Sequence, residues 1–245
     1  MGKAEYLSAL LPNGKGIWVP IDHSVSNYPI KGLTNIEQMI DSLSNADAIV
    51  AHKGVVSHFA NNAKTPFIMH ISASTIHGGD EKDDKVLVGG VKEAIARGAI
   101  GVSIQVNIGS QFENRMIERL GSISKKCQKL DVPLLGMIYA RGPHLNPDKN
   151  DVTGGVAHAV RLGWELGCDV IKTTWTGDIE SFKLVTSSVP IPVLVAGGEK
   201  QDDFSQTIEM VKNAIEAGAA GVCMGRQIFE SDNPENCIDL LREIV

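Results

Sequence analysis

The feature that most constrains the fold is a repeated alternation of short apolar runs with helical patterns. Eight apolar runs occur, at residues 17–21, 47–52, 67–71, 99–106, 132–139, 170–173, 193–196 and 220–224. Because these runs are apolar throughout and do not alternate, they predict strands of a parallel sheet that is covered on both faces. Eight strand–helix units in 245 residues predict an α/β fold, the closed (β/α)8 TIM barrel. An open doubly wound sheet is the alternative architecture.

Glycines mark the ends of several predicted helices. The helices are predicted at residues 35–43, 54–61, 88–97, 111–130, 152–166, 179–185, 204–217 and 233–244. Gly98, Gly167 and Gly218 each lie between a predicted helix and the next strand. Glycine is favoured there because a helix commonly ends in a left-handed residue. No linker or shift in composition divides the chain, so residues 1–245 are predicted to form a single domain.

Composition and charge exclude several classes of function. The net charge is −6, and no basic stripe exists to bind nucleic acid. No apolar run approaches the ~20 residues needed to cross a bilayer. The first residues also lack the basic start and apolar core of a signal peptide, so we expect a cytoplasmic protein without membrane contact. The four cysteines are far apart in sequence and predict free thiols.

Lys172 is unusual because it lies inside a short β-branched run at residues 170–173. Lysines avoid buried strands because the ammonium is costly to desolvate. A desolvated lysine has a lowered pKa, and its neutral amine can attack a carbonyl to form a Schiff base. The alternative interpretation is that Lys172 reaches solvent from an edge strand.

Polar residues follow six consecutive predicted strands, at the end where barrel enzymes carry their active sites. They are Asp22 and His23, His52 and Lys53, Ser72 and Ser74, Gln105 and Asn107, Tyr139 and Arg141, and Lys172 and Thr174. Turn-forming residues alone do not explain so many ionisable and amide groups. A phenol beside an amine can donate or accept a proton, which makes Tyr139 the natural partner of Lys172. Asp22 is predicted to move protons at the carbinolamine or to orient substrate hydroxyls.

Glycine pairs follow the last two predicted strands. Gly197 and Gly198 follow the seventh strand, and Gly225 and Arg226 follow the eighth. Loops at these positions of a barrel often bind phosphate through backbone amides and a short extra helix, here residues 227–229. Arg226 adds a forked, charge-assisted contact. The histidines lack metal-ligand spacing, so no metal and no cofactor are expected.

These motifs together resemble a known family, the archaeal-type class I (Schiff-base) aldolases of the DeoC/FbaB group. Within that group the branch of 2-amino-3,7-dideoxy-D-threo-hept-6-ulosonate synthases is the most similar. The resemblance covers nearly the whole chain. Its motifs are residues 19–26 (VPIDHSVS), 29–33 (PIKGL), 51–54 (AHKG), 70–75 (HISAST), 103–107 (SIQVN), 133–142 (PLLGMIYARG), 170–178 (VIKTTWTGD), 196–200 (AGGEK) and 224–229 (MGRQIF).

The resemblance implies a role for each matching residue. Lys172 becomes the Schiff-base lysine, Tyr139 the general acid/base and Asp22 the assisting carboxylate. The residues expected to bind substrate or its phosphate are Gly197, Gly198, Gly225, Arg226, His23, His52, Arg141 and Lys200. The implied reaction joins dihydroxyacetone phosphate or 6-deoxy-5-ketofructose 1-phosphate to an aldehyde acceptor, aspartate semialdehyde, in aromatic or aminohydroxybenzoate biosynthesis. The family also implies ring-based homo-oligomers, commonly decamers.

Several positions depart from the family pattern. They are Ser24, Tyr28, Ala140, Trp175 and Glu199. They leave the lysine chemistry unchanged, but they leave open the identity of the second half of the substrate. Three alternatives therefore stand beside the synthase: a class I fructose-1,6-bisphosphate aldolase, a thiolase-like acyltransferase, and a non-catalytic phosphosugar-binding protein.

Overall fold

Eight parallel strands close into a barrel in the computed structural model, which describes residues 2–145 and 152–245. The barrel strands are β1 (Gly16–Pro20), β2 (Ala48–Ala51), β3 (Phe67–His70), β6 (Gly101–Ile108), β7 (Leu134–Ala140), β8 (Val170–Thr173), β9 (Val193–Val195) and β10 (Gly221–Cys223). Their order around the barrel is β1-β10-β9-β8-β7-β6-β3-β2. The predicted TIM barrel is confirmed, and the open sheet is excluded because β1 pairs with both β2 and β10.

Helices connect the strands on the outside of the barrel. Their bounds are α1 (Lys3–Leu10), α2 (Ile36–Ser42), α3 (Lys53–Phe59), α4 (Val91–Ala96), α5 (Glu113–Leu130), α6 (Val152–Glu165), α7 (Ile179–Ser187), α8 (Phe204–Glu216), α9 (Arg226–Phe229) and α10 (Pro234–Arg242). The predicted glycine ends are confirmed, since Gly98, Gly167 and Gly218 have φ angles of 92°, 89° and 94°. Nowhere in residues 2–145 or 152–245 is a helix both long and apolar enough to cross a membrane.

The connection after β3 differs from the predicted loop at residues 72–85. Its two ends form an antiparallel ribbon of β4 (Ser72–Ala73) and β5 (Val86–Leu87). The ribbon continues to Val88, whose N–H donates to the carbonyl of Ile71 at 2.9 Å. This extended backbone is the reason that α4 begins at Val91, three residues later than predicted. Residues 146–151 of the predicted loop 140–151 lie outside the described residues.

Helix α1, which the sequence patterns did not predict, lies at the N-terminal end of the barrel. Its last residue, Leu10, is fully buried and packs with inward-facing strand residues such as Trp18. The indole Nε1 of Trp18 donates to the Leu10 carbonyl at 2.6 Å. At the other end of α1, Lys3 pairs with Asp169, just before β8, at 3.0 Å. The helix therefore covers the end of the barrel that is opposite the predicted active site.

Candidate active site

The C-terminal ends of the strands surround a cavity of about 410 Å³. The sequence-predicted site residues that line it are Asp22, His23, His52, Tyr139, Arg141, Lys172, Gly197, Gly198, Gly225 and Arg226. Lys200 does not line the cavity. Its Nζ donates to the Gln227 carbonyl at 3.3 Å and lies 6.0 Å from the centre of the Phe204 ring. The structure therefore brings together every predicted site residue except Lys200.

Lys172 lies inside the barrel on β8, and its side chain does not extend outward to solvent. The residue is 7% exposed, and a hydrogen bond joins its amine to Tyr139. Burial favours the neutral amine, but the negative charges that Cys223, Tyr139 and Asp22 can carry favour the ammonium more strongly, so the pKa of Lys172 is raised. The expectation that burial would lower this pKa was wrong because it considered desolvation without the neighbouring groups. The resting side chain is an ammonium, which must lose a proton before it can attack a carbonyl.

Asp22 supplies a permanent negative charge to the same cavity. Its Oδ1 lies 3.4 Å from Nδ1 of His23, and its Oδ2 lies 3.8 Å from Nε2 of His70. Burial works to raise the pKa of Asp22, but the contact with His23 and the charges of His70, His23 and Lys172 hold this pKa well below its usual range. Asp22 is therefore suited to stabilise positive charge on the Lys172 nitrogen.

His70, which is buried, and His52, which is half-buried, form a pair of rings beside Asp22. Their ring centres are 5.2 Å apart, and Nδ1 of His52 lies 3.1 Å from the His70 carbonyl oxygen. Nδ1 of His70 lies 2.7 Å from Oγ of Ser103. Burial lowers the pKa of His70 to about 3, although the charge of Asp22 opposes the change. His70 is therefore neutral at pH 7. It lines the cavity, which sequence reasoning missed because it ends an apolar strand that reads as core.

The glycines after β9 and β10 lie where the backbone of neighbouring elements comes close. A Cβ on Gly197 would lie 2.7 Å from Met224 Cβ, and one on Gly225 would lie 2.5 Å from the Pro20 carbonyl oxygen. Gly198 has a φ of 67°, a left-handed conformation that favours glycine. Arg226, the first residue of α9, follows directly, and it makes no ion pair within the part of the chain that the structure describes. These residues line the cavity, and the phosphate-binding role that the spacing predicts for them stays a prediction.

Gln227 holds the Gly197 loop in place, a role that sequence reasoning missed. It is fully buried, and its Nε2 donates to the carbonyls of Gly197, at 3.0 Å, and Glu199. Its Oε1 accepts from the Gln201 N–H at 3.2 Å and from the Thr207 hydroxyl at 3.1 Å. The sequence signal for such a role is that Gln227 directly precedes two apolar residues, Ile228 and Phe229.

Lys85 is a second cavity residue that the sequence patterns did not indicate. It lies in the polar connection after β3, where a lysine is unremarkable.

As for metals, the described ranges contain no cluster of three or more histidine, cysteine, aspartate or glutamate side chains that could hold an ion.

Residues 17–231 match the model of the DeoC/LacD family aldolases. The chain belongs to the DeoC/LacD aldolase family. It is 39% identical, over all of this chain and 91% of the relative, to 2-amino-3,7-dideoxy-D-threo-hept-6-ulosonate synthase 1 of Archaeoglobus fulgidus. It is 36% identical, over 93% of this chain and 83% of the relative, to 2-amino-4,5-dihydroxy-6-oxo-7-(phosphonooxy)heptanoate synthase of Streptomyces griseus.

A solved structure of a Schiff base forming fructose-1,6-bisphosphate aldolase superposes on this DeoC/LacD aldolase with a TM-score of 0.89. It is 26% identical, and the match covers 99% of both chains. The predicted resemblance and the predicted enzyme class, a Schiff-base-forming aldolase or transaldolase, are therefore confirmed.

Proposed function

We propose that this protein is a Lys172-dependent aldolase or transaldolase that joins a phosphorylated ketose-derived donor to aspartate semialdehyde. The donor is dihydroxyacetone phosphate or 6-deoxy-5-ketofructose 1-phosphate. The observation that carries the proposal is the position of Lys172: a buried amine, hydrogen-bonded to Tyr139, in a cavity that also contains Asp22 and the glycine loops. A protein that only bound phosphosugars would have no use for a lysine in this environment.

The carbon skeletons of the relatives' products support this pair of substrates. The compound 2-amino-4,5-dihydroxy-6-oxo-7-(phosphonooxy)heptanoate is divided by an aldol disconnection of the C4–C5 bond. The C5–C7 fragment is dihydroxyacetone phosphate, and the C1–C4 fragment is aspartate semialdehyde. The hept-6-ulosonate named in the other relative has the same number of chain carbons and also carries a 2-amino group. An identity of 36–39% to these synthases, against 26% to the bisphosphate aldolase, favours the amino-acid aldehyde as acceptor.

The geometry supports an ordered sequence of proton transfers around Lys172. The ammonium first transfers a proton through Tyr139, and the free amine attacks the donor ketone to form a carbinolamine. Loss of water gives an iminium, which Asp22 stabilises with its negative charge. For dihydroxyacetone phosphate, Tyr139 removes a proton from the adjacent carbon, and the enamine attacks the acceptor aldehyde, whose oxygen takes up that proton. Water then releases the product and restores the amine.

The glycine loops orient the donor. Backbone N–H groups of Gly197, Gly198 and Gly225, with the Arg226 guanidinium, bind its phosphate. These residues follow β9 and β10, and β9 is hydrogen-bonded to β8, which carries Lys172. The donor is thereby held with its phosphate on one side of the lysine and its carbonyl at the amine.

Borohydride trapping tests the assignment of Lys172. Incubation of the wild-type protein with dihydroxyacetone phosphate and borohydride should add the reduced ketose covalently to Lys172. The Lys172→Met variant should lose this product completely while keeping its circular dichroism spectrum, because the amine that forms the Schiff base is gone. Lys183→Met, at an exposed position of α7, is the matched control and should trap normally. Covalent linkage of the ketose to the Lys172→Met variant would show that another residue is the nucleophile.

A class I fructose-1,6-bisphosphate aldolase is the second candidate, favoured by the close superposition on such an enzyme. The two are separated by incubating the protein with dihydroxyacetone phosphate and either aspartate semialdehyde or glyceraldehyde 3-phosphate. Mass spectrometry should detect a seven-carbon amino product with the semialdehyde. Product formed only with the triose phosphate would replace the synthase assignment by the aldolase.

We also propose that the enzyme is cytoplasmic. We propose further that it assembles into a homo-oligomer, as the sequence resemblance implies. Light scattering on the purified protein tests the assembly, and a mass equal to ten chains would match the decamers common in this family.

A further inference from the structure

Two cations in the active-site cavity, Lys85 and Arg141, form no ion pair in the part of the chain that the structure describes. Lys85 is half-buried, and Arg141 places its guanidinium 4.1 Å from the centre of the Tyr139 ring. Neither side chain lies within 4.0 Å of a carboxylate in residues 2–145 and 152–245. Burial lowers the pKa of Lys85, and the charge of Arg141 lowers it further, although the charges of Asp22 and Asp83 oppose the change. The two positive charges therefore act on each other. Like charges held together in a cavity predict an anionic ligand.

The order of the strands puts this pair away from the phosphate-binding loops. Lys85 belongs to the connection after β3, which is four strands from β9 in the ring of eight and therefore diametrically opposite. Arg141 directly follows β7, which is the neighbour of β8 on the side away from β9. A substrate whose phosphate lies at the β9 and β10 loops and whose carbonyl lies at Lys172 therefore directs its far end toward Lys85 and Arg141.

Interactions from two other elements hold the backbone around Lys85 in place. Asp84 is 6% exposed and pairs with Arg119 and, at 3.4 Å, with Arg115, both on α5. Arg119 Nη1 also donates to the carbonyl of Lys85 itself, at 3.0 Å. The Asn107 side-chain amide, on β6, donates to the Asp83 carbonyl at 3.4 Å. A solvated surface lysine would need none of these contacts, so the arrangement indicates a pre-positioned side chain.

The side chain of Lys85 is also directed into the cavity. Its Nζ donates to Oγ of Ser74 at 2.6 Å, which leaves two of its three N–H groups for a ligand. The guanidinium of Arg141, stacked on Tyr139, has a planar fork that matches a carboxylate. We propose that Lys85 and Arg141 bind the carboxylate of the acceptor aldehyde and so select an amino-acid semialdehyde over an uncharged aldehyde. This inference rests on the proposed function, because the carboxylate belongs to aspartate semialdehyde.

Acceptor kinetics of Lys85 and Arg141 variants test the inference. Lys85→Met and Arg141→Met should each raise the KM for aspartate semialdehyde at least tenfold, with Lys85→Arg restoring most of the loss. The loss should be specific to the acceptor that carries a carboxylate: in Lys85→Met, kcat/KM with aspartate semialdehyde should fall at least fivefold more than kcat/KM with butanal, which has no carboxylate. Lys82→Met, at an exposed position of the same connection, is the matched control and should change nothing.

Two results would overturn the inference. One is an unchanged KM for aspartate semialdehyde in the folded Lys85→Met variant. The other is an equal loss with butanal, which would mean a general distortion of the site. If wild type uses glyceraldehyde 3-phosphate and not the semialdehyde, the proposed function fails independently. In that case the KM of the same variants for glyceraldehyde 3-phosphate shows whether Lys85 and Arg141 bind the phosphate of that aldehyde. A raised KM would replace the carboxylate by a phosphate as the ligand of the two cations.

Discussion

At the scale of single residues, the site depends on how each ionisable group is surrounded. Lys172 and His70 are both almost completely buried, yet their pKa values change in opposite directions. Lys172 has Cys223, Tyr139 and Asp22 around it, and the negative charges that these groups can carry outweigh desolvation. His70 shares Asp22 but also lies near His52, Lys85 and Lys172, whose positive charges add to the effect of burial. The outcome is a charged lysine and a neutral histidine a few side chains apart.

The neutral His70 predicts a pH dependence of stability. Its pKa is about 3 in the folded protein and 6.5 when unperturbed, so between these values the unfolded chain binds a proton that the folded chain does not. The free energy of unfolding should therefore fall as pH falls below 6.5, by up to about 1.4 kcal/mol per pH unit from this residue. In urea unfolding measured between pH 3 and pH 6.5, the free energy of unfolding of the His70→Gln variant should fall less steeply with falling pH than that of wild type.

Asp22 adds to the same trend. Because its pKa in the folded protein lies below the ordinary value of 3.8, the free energy of unfolding also falls as the pH falls below 3.8. The comparison between His70→Gln and wild type removes this shared contribution. His58→Gln, at an exposed position of α3, is the control. An identical slope in wild type and His70→Gln would mean that His70 is not held neutral.

At the scale of elements, the loop after β9, which we propose binds phosphate, depends on one side chain of α9. Gln227 satisfies the carbonyls of Gly197 and Glu199 and accepts two hydrogen bonds on its other side. Since α9 begins directly after β10, this residue ties the two glycine loops to each other. The spacing of phosphate ligands therefore rests on a contact between residues about thirty positions apart.

The Gln227→Leu variant should separate the two loops. It leaves the Gly197 and Glu199 carbonyls without their donor, and each buried unsatisfied group costs about 1–3 kcal/mol of stability. We expect a lower free energy of unfolding and a KM for the phosphorylated donor raised at least fivefold, measured by denaturation and steady-state kinetics. Gln206→Leu, on the exposed face of α8, should leave both unchanged. A Gln227→Leu variant with wild-type KM would mean that the loop needs no such support.

At the scale of the whole molecule, the barrel has two ends with different roles. The C-terminal end carries the cavity, while α1 covers the N-terminal end through Leu10 and the Trp18 hydrogen bond. The residues inside the barrel form one apolar cluster that reaches from Leu10 to Tyr139. The reactive groups therefore stand on a packed interior, which keeps them in position.

Leu10→Ala tests the contribution of this cover. Leu10 is fully buried, so the truncation should lower the free energy of unfolding by about 2–5 kcal/mol through lost burial and a cavity. Leu184→Ala is the same change at a position that is 63% exposed, and it should cost less than about 0.5 kcal/mol. Chemical denaturation of both variants makes the comparison. Equal, small effects would show that α1 is not part of the core.

The sequence by itself determined the barrel and the end of it at which the candidate site residues lie, because both depend on local order. Apolar runs and glycine helix ends define the strands, and parallel strands bring their C-terminal residues to one end whatever the details of packing. Lys172, Tyr139, Asp22 and the glycine loops could therefore be identified from where they follow each strand. Motif resemblance then indicated their chemistry.

Only the tertiary structure decided the charge of Lys172 and the residues that support the site. The pKa of a buried amine depends on groups from other strands, which sequence spacing does not show. Lys85 gains its position from Asp84 and Arg119, which are 35 residues apart, and Gln227 from carbonyls of another loop. Sequence spacing also does not show that Lys200 lies outside the cavity lining, where its amine donates to the Gln227 carbonyl. Strand ends are set by neighbours in sequence, but the surroundings of each side chain are set by neighbours in space.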